Sequence, residues 1–174
     1  MVRESCIDLL LNRRSIRRFK PKDISDEVIQ KIIDIARYAP SAKNSQPWEF
    51  IIVKDIKLRE KLASIHSGAA PVRHAAVAIV VVCDPMKSPT SYLLDCANAT
   101  TYLMLAAHAL GLGTVWIQSL RNTSEIRRIL KIPEEKIPTA IVAIGWPNES
   151  PKPRSRRELK EITHLNYYGE PYVK

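Results

Sequence analysis

Cysteine, aromatic residues and long apolar runs are all scarce in this 174-residue sequence, and each scarcity excludes a class of protein. The three cysteines, Cys6, Cys83 and Cys96, are odd in number and form no CxxC pair, which argues against a disulfide framework or a zinc knuckle. The longest apolar stretch, 75–83, is far shorter than the roughly 18 residues of a membrane span, and the first residues lack the apolar run of a signal peptide. We therefore expect one cytoplasmic domain over 1–174, with reduced thiols and no membrane partner.

Positive charge is what the sequence has in excess, with 27 Lys and Arg against 18 Asp and Glu. Two runs, 13–18 and 152–157, hold four cations each, so the other residues together carry a net charge of only +1. A nucleic-acid binder usually spreads its cations and interleaves aromatic residues, but aromatics make up 6% of this chain and none lies in either run. Because Arg binds phosphate oxygens bidentately, the two clusters suit a compact phosphate ligand; the alternative is that both are solvated surface.

Hydrophobic periodicity predicts alternating helices and strands. The predicted helices are 5–11, one that starts after the N-cap residue Ser25 and ends before Pro40, 55–65, 90–110 and 124–130; the predicted strands are 48–53, 77–82, 114–118 and 138–146. In 90–110 apolar and small residues recur every four positions, at Leu93, Ala97, Thr101, Leu105 and Ala109, which predicts the central core helix. The last residues, 147–174, contain four prolines and little periodicity, so we expect an extended arm laid over the body or over a partner chain.

Familiar catalytic motifs are absent from the sequence. Gly111-Leu112-Gly113 follows a predicted helix and precedes a strand, the reverse of the order that a dinucleotide fingerprint needs. There is no Walker A loop and no GxSxG motif, and the four histidines show no metal-ligand spacing. His108 lies in the predicted core helix, where a hydrogen-bonded structural role is expected. Hydrolase, kinase and metal-enzyme functions therefore have no residues to carry them, and we expect no metal site.

Four short pieces in a fixed order carry more information than any single motif. They are Arg-Arg-Ser-Ile-Arg at 13–17, Ala-Pro-Ser-Ala-Lys-Asn-Ser-Gln-Pro-Trp at 39–48, Gly-Leu-Gly-Thr-Val-Trp-Ile at 111–117 and His-Leu-Asn-Tyr-Tyr-Gly at 164–169. In these pieces the sequence resembles the FMN-dependent nitroreductase family, from about residue 13 to residue 169. The resemblance implies an α+β fold with a mixed central sheet flanked by helices. It also implies a homodimer that exchanges its C-terminal arms (147–174) and holds FMN at the subunit interface.

The resemblance also implies a set of cofactor-binding residues. Arg13 and Ser15, with neighbouring Arg14, match the positions at the FMN phosphate and ribityl end, and Arg17 matches a cation near the pyrimidine edge of the flavin. The remaining implied residues are Arg154 and Arg156 at the phosphate, Pro40, Ser41 and Asn44 against the FMN of the other subunit, and the strand segment Trp116, Ile117 and Gln118 with its backbone along the ring. Many family members place an asparagine in the loop before the second strand; here that loop reads Ser67-Gly68-Ala69-Ala70, so Ser67 or a backbone group replaces it, or the loop follows another path.

The implied activity is hydride transfer from a reduced nicotinamide through FMN to a nitroaromatic, a quinone or a similar electron-poor acceptor, in a ping-pong reaction. No catalytic side chain is expected, since the flavin carries the chemistry and the protein positions it. Two alternatives keep the flavin: another redox task, such as reductive dehalogenation or metabolite oxidation, and flavin binding without turnover. The physiological acceptor and the choice among NADH, NADPH and a reduced deazaflavin as donor are open at this stage.

Overall fold

Helices and strands alternate along the chain as the sequence predicts. The computed structural model describes residues 2–173, and over that range it contains five α-helices and four β-strands. The helices are α1 (Val2–Asn12), α2 (Asp26–Ala36), α3 (Ile56–Ala63), α4 (Tyr92–Ala109) and α5 (Thr123–Leu130); the strands are β1 (Trp48–Val53), β2 (Val77–Cys83), β3 (Gly113–Gln118) and β4 (Ile137–Gly145). Ser25 is the N-cap residue of α2, although its hydroxyl makes no capping bond, and Gly111 ends α4 at a φ of 77°.

The four strands form one sheet in the order β1-β2-β4-β3. All three strand pairs are antiparallel, and the central strands β2 and β4 are buried almost throughout because β-branched residues fill both of their faces. The predicted α+β fold is confirmed, with one difference in the sheet: parallel pairing is limited to a single bridge between Ser15 and Thr114, beside β3. β1 and β3 are thus the two edges of the sheet.

Helices cover both faces of this sheet. On one face α2 and α4 pack against β2 and β4, with Ile32, Leu103 and Ile144 fully buried. On the other face α3, α5 and a 3₁₀ segment (Ser67–His74) pack against the same strands, around Leu62 and Ile126. Burial on both faces explains why β2 reads in the sequence as a continuous apolar run without alternation.

α4 is the central core helix that the sequence predicts, and the structure shows which of its faces meets the sheet. Its buried residues are Asp95, Cys96, Ala99, Thr100, Leu103, Met104, Ala106 and Ala107. The four-residue repeat of apolar and small residues lies on the outer side, where Leu93 and Thr101 are exposed. Exposed Leu94 and Tyr102 extend this outer surface. Small residues on all sides of the helix let the face opposite the repeat pack against the sheet.

Cys83 and Cys96 are both fully buried, as expected of structural residues, but they are not free thiols. The structure joins them in a disulfide, with a Cα–Cα distance of 6.3 Å. The end of β2 lies against the first turns of α4, which brings together two residues that are 13 positions apart. This pairing corrects the expectation of reduced thiols, which considered only cysteine number and spacing. Cys6 is free and exposed.

The C-terminal arm is attached to the body only where it begins. Pro147 pairs with Phe19, and the Asn148 amide donates to the Arg18 carbonyl at 3.0 Å. From residue 152 to residue 172 nearly every position is exposed, with Tyr168 95% exposed, and one short 3₁₀ turn (Leu159–Glu161) interrupts the irregular path. Of the two placements that the sequence left open, the arm does not lie over its own body.

None of the helices in the described part of the chain combines the length and apolar character needed to cross a membrane. The cytoplasmic location stays a prediction.

Candidate functional site

The first arginine cluster is held beside the start of β3 by backbone contacts. After α1 ends, the chain runs along the edge strand, and the Ile16 amide donates to the Thr114 carbonyl at 2.8 Å. This close approach depends on Gly113, because a Cβ at that position would lie 2.8 Å from the side chain of Ile16. A Cβ on Gly145 would meet Phe19 at 2.7 Å in the same way. The two glycines thus fix the segment that carries the arginines.

Glu149 joins the beginning of the arm to this segment. Its Oε1 accepts from the backbone amides of Arg17 and Arg18, at 2.5 and 3.2 Å. The contact places the second basic run next to the first, although 132 positions separate Arg17 from Glu149. Glu149 carries no motif, and the sequence analysis missed it.

The two basic runs line one cavity of about 140 Å³. Its walls are Arg13, Arg14, Ser15, Arg17, Pro151, Lys152, Arg154 and Arg156. Six of the predicted site residues therefore meet around a single space, and its walls contain no carboxylate. Over the described residues, none of the five arginines in these walls forms an ion pair with Asp or Glu.

Arg13 is the residue in this cluster whose environment is most unfavourable without a ligand. Burial lowers the pKa of its guanidinium, and the neighbouring charges of Arg14 and Arg156 lower it further. Its Nη1 is buried with no hydrogen-bond partner among the described residues. A buried donor without a partner destabilises the protein, whereas a phosphate oxygen in the cavity would both accept its hydrogen bond and offset the repulsion.

A second cavity, of about 360 Å³, adjoins the first and shares Arg13 and Arg14 with it. Thr114 lines it and is 1% exposed, and the Thr114 Oγ1 has no partner within the described chain. His108 lines it as well; burial lowers the pKa of this imidazole, and the charges of Arg13 and Arg14 add to the effect. His108 is therefore a neighbour of the arginine cluster, which its place in an apolar helix did not indicate.

The loop that contains Pro40, Ser41 and Asn44 lies elsewhere. It leads into β1, the opposite edge strand from β3, and none of the three residues lines the two arginine cavities. Buried Asp95 fixes the loop by accepting from the Ala42 amide at 2.9 Å.

The same loop is rigid and locally strained. The Gln46 amide donates to Ser41 Oγ at 3.0 Å, and the Asn98 side chain donates to the Pro40 carbonyl at 3.1 Å. Asn44 and Gln46 adopt φ values of 55° and 46°, in the left-handed region that non-glycine residues seldom occupy. Such strain is often found in segments that contact a ligand.

The predicted ring-contacting segment of β3 is divided between the core and the surface. Trp116 packs partly buried on the α4 side of the sheet, and Ile117 is buried on the other side. Their side chains are therefore occupied by packing within the chain, and contact of their backbone groups with the flavin ring stays a prediction. Gln118, at the end of the strand, is exposed and lines a separate cavity of about 450 Å³ with His66, Arg121 and Asn122.

The structure thus has an antiparallel α+β fold with a cation-lined cavity suited to a phosphate-bearing ligand, and comparisons with known proteins identify the family. The sequence profile of the Nitroreductase family matches residues 10–92 and 66–146, which is more than half of the chain. A Methanothermobacter thermautotrophicus protein, provisionally named as an NADH dehydrogenase/NAD(P)H nitroreductase, is 40% identical over 153 residues, covering 85% of this chain and 80% of that protein. The oxygen-insensitive NADPH nitroreductase of Salmonella typhimurium is 30% identical over 93% of this chain and 74% of its own length.

A solved structure agrees with the sequence matches. The FMN-dependent nitroreductase of Clostridium difficile superposes with a TM-score of 0.86 at 33% identity, covering 93% of this chain and 99% of the other. The chain belongs to the nitroreductase family.

Proposed function

We propose that this chain works as a homodimer that passes a hydride from NAD(P)H, through FMN bound at the subunit interface, to an electron-poor acceptor such as a quinone or a nitroaromatic. As a member of the nitroreductase family, the chain is an NAD(P)H-dependent oxidoreductase, and FMN is its cofactor. The particular acceptor, the ping-pong order and the dimer belong to the proposal.

The observation that carries the proposal is the convergence of two arginine runs, from opposite ends of the chain, on one cavity without a carboxylate. The Nη1 of Arg13 has no partner within the described chain, so it supplies a donor for a ligand in the cavity. Arg154 and Arg156 add cations from the arm, and Ser15 adds a hydroxyl. This donor set fits the phosphate of FMN, because a phosphate accepts several charge-assisted hydrogen bonds at once.

The rest of the cofactor fits along β3. Thr114 marks the arginine end of this strand and Gln118 the other end, four residues or about 13 Å away. A ligand with an anionic tail and a flat ring can therefore place the two parts at the two ends. Arg17 follows the phosphate-binding residues along the same edge, where its cation would face the pyrimidine edge of the ring and stabilise the negative charge that reduction creates there.

When bound, FMN supplies the redox chemistry by taking a hydride from NAD(P)H and giving it to the acceptor. For a quinone, NAD(P)H, one proton and the quinone give NAD(P)⁺ and the hydroquinone. The residues of this chain hold the phosphate, orient the ring and present backbone groups of β3 to it. None of the proposed contacts requires a side chain to act as an acid or a base.

The proposed dimer rests on surfaces that the single chain leaves exposed. The outer face of α4 exposes Leu94 and Tyr102, and α1 exposes Leu10 and Leu11. The arm exposes Leu159, Ile162, Leu165, Tyr167, Tyr168 and Tyr172. Exposed apolar side chains in this number favour association, and a two-fold axis would let each arm cross to the other chain.

A dimer also accounts for the position of the loop at 40–44. In one chain this loop and Arg13 lie at opposite edges of the sheet, so they are poorly placed to contact one small ligand. With a second copy, the loop of each chain can complete the arginine site of the other. Each dimer then holds two FMN molecules at its interface.

A visible absorption spectrum of the purified protein, followed by anaerobic addition of NADH and then of NADPH, tests the proposal. We expect a yellow protein that one or both nicotinamides bleach. Once the nicotinamide has been removed, adding a quinone should restore the yellow colour. Return of colour in that separate second step is the signature of a ping-pong reaction. A protein that stays colourless after incubation with FMN contradicts the proposal, and one that stays yellow with both nicotinamides restricts it to another donor or to binding without turnover.

A further inference from the structure

The cavity at the end of β3 contains a cation that the proposed cofactor contacts leave unassigned. The cavity has a volume of about 450 Å³ and is lined by His66, Gln118, Arg121 and Asn122. Only Gln118 belongs to the segment expected to follow the flavin ring. Arg121 and Asn122 lie in the 3₁₀ turn (Leu120–Asn122) that connects β3 to α5.

Hydrogen bonds hold two walls of this cavity in place. The His66 Nε2 lies 3.2 Å from the Gln118 carbonyl oxygen, and the side-chain Nδ2 of Asn122 donates to the Ile65 carbonyl at 3.2 Å. A Cβ on Gly68 would lie 3.2 Å from the His66 ring, so the glycine gives the imidazole the room for this position. The residues between α3 and the 3₁₀ segment Ser67–His74 are therefore joined to the end of β3 and the turn that follows it.

Arg121 is the charged member of that frame, and no acidic group balances it. Its side chain is exposed, and within the described residues it forms neither an ion pair nor a side-chain hydrogen bond. The other lining side chains are two amides and an imidazole, which can donate hydrogen bonds to an anion but carry no negative charge to repel one. One unpaired guanidinium among neutral donors favours a ligand with a carboxylate or a similar planar anionic group.

We propose that this cavity receives the anionic end of the electron acceptor, and that Arg121 makes the enzyme prefer acceptors bearing a carboxylate. The proposal rests on the proposed function, because it takes the end of β3 as the place of the flavin ring. Arg121 then acts on substrate choice, while the arginine cavity at the other end of β3 holds the cofactor phosphate. An anionic group on the nicotinamide donor has the same chemistry, so the test separates the two sources.

Three variants of the FMN-loaded enzyme are compared with the wild type: Arg121→Gln, Arg121→Lys and the control Arg128→Gln. Arg128 is an exposed arginine of α5 that does not line the cavity. The FMN content of each is measured first. The dissociation constants of para-nitrobenzoate and of neutral nitrobenzene are then measured from the change in flavin absorbance, and kcat/KM is measured for both acceptors with NADH and with NADPH.

We expect Arg121→Gln to weaken para-nitrobenzoate binding about tenfold or more and to leave nitrobenzene within about twofold. Arg121→Lys keeps part of the preference for para-nitrobenzoate because it keeps the charge, and Arg128→Gln leaves the dissociation constants of both ligands unchanged. Equal binding of para-nitrobenzoate by Arg121→Gln and the wild type overturns the proposal. A loss of kcat/KM that appears only with NADPH also overturns it, because the anion bound by Arg121 would then belong to the donor. If the wild type holds no FMN, the proposed function itself fails, whereas an FMN-loaded, active enzyme without a carboxylate preference refutes this inference alone.

Discussion

Replacing Arg13 by Met should affect the cofactor-free and the cofactor-bound protein in opposite directions. In the free protein the Nη1 of Arg13 is buried without a partner and faces the charges of Arg14 and Arg156. Since an unsatisfied buried donor costs about 1–3 kcal/mol, an apolar side chain of similar length should leave the free energy of unfolding unchanged or raise it by up to that amount. With FMN bound, the same substitution removes a charge-assisted bond to phosphate of about 1.5–3 kcal/mol, which corresponds to roughly 10- to 150-fold weaker binding.

Two measurements separate these effects. Urea unfolding of the cofactor-free protein gives the stability, and titration of free FMN with protein, followed by quenching of the flavin fluorescence, gives the affinity. Arg156→Ala should weaken FMN binding by a similar factor, because Arg156 lines the same cavity from the arm. Arg128→Met, on an exposed part of α5, should change neither quantity. Unchanged FMN affinity in both cavity variants would refute the assignment of the phosphate to this cavity. A free protein destabilised by Arg13→Met would refute the cost assigned to the unsatisfied donor.

Three further predictions concern the surroundings of the site. Burial and the nearby arginines hold the pKa of His108 below its ordinary 6.5, so as pH drops below about 6.5 the unfolded chain binds this proton more readily and the free energy of unfolding falls. His108→Gln should therefore flatten the pH dependence of urea unfolding between about pH 7.5 and about pH 5.5, and an unchanged slope would contradict this. Gly113→Ala should lower the free energy of unfolding in urea by about 1–3 kcal/mol and weaken FMN binding, because the added Cβ meets the side chain of Ile16. Adding Ile16→Ala to this variant should restore part of the stability and part of the FMN affinity, whereas additive effects of the two substitutions would argue against this contact. Leu94→Glu, on the outer face of α4, should give a folded monomer with reduced FMN retention in sedimentation experiments, whereas Met86→Glu, also exposed but outside that helix, should not. A dimer that persists in Leu94→Glu excludes this face from the interface.

The sequence was most informative where a local pattern has one structural solution. The β-branched run at 77–82 predicts a strand buried on both faces, and β2 is one. The two arginine runs can be recognised from the sequence alone, because they concentrate like charges in two short segments while the rest of the chain is nearly neutral. Their meeting around one cavity then follows from the fold.

Other features depend on tertiary contacts that leave no local pattern. The periodicity of α4 shows that more than one side of the helix is apolar, but it does not determine which face meets the sheet. Cysteine spacing along the chain does not report that β2 and α4 bring Cys83 and Cys96 together. Glu149 and Arg121 are single polar residues whose roles depend on partners far away in sequence, so only the folded chain reveals them.

The contact between Glu149 and the amides of Arg17 and Arg18 also makes the cofactor site depend on two segments that are synthesised far apart in time. The first arginine run and all four strands are made before residues 152–156, which complete the phosphate cavity. A nascent chain can therefore pair its strands before both basic runs are present to hold the FMN phosphate. A variant that ends at residue 150 should keep most of the folded core while losing the cations of the arm.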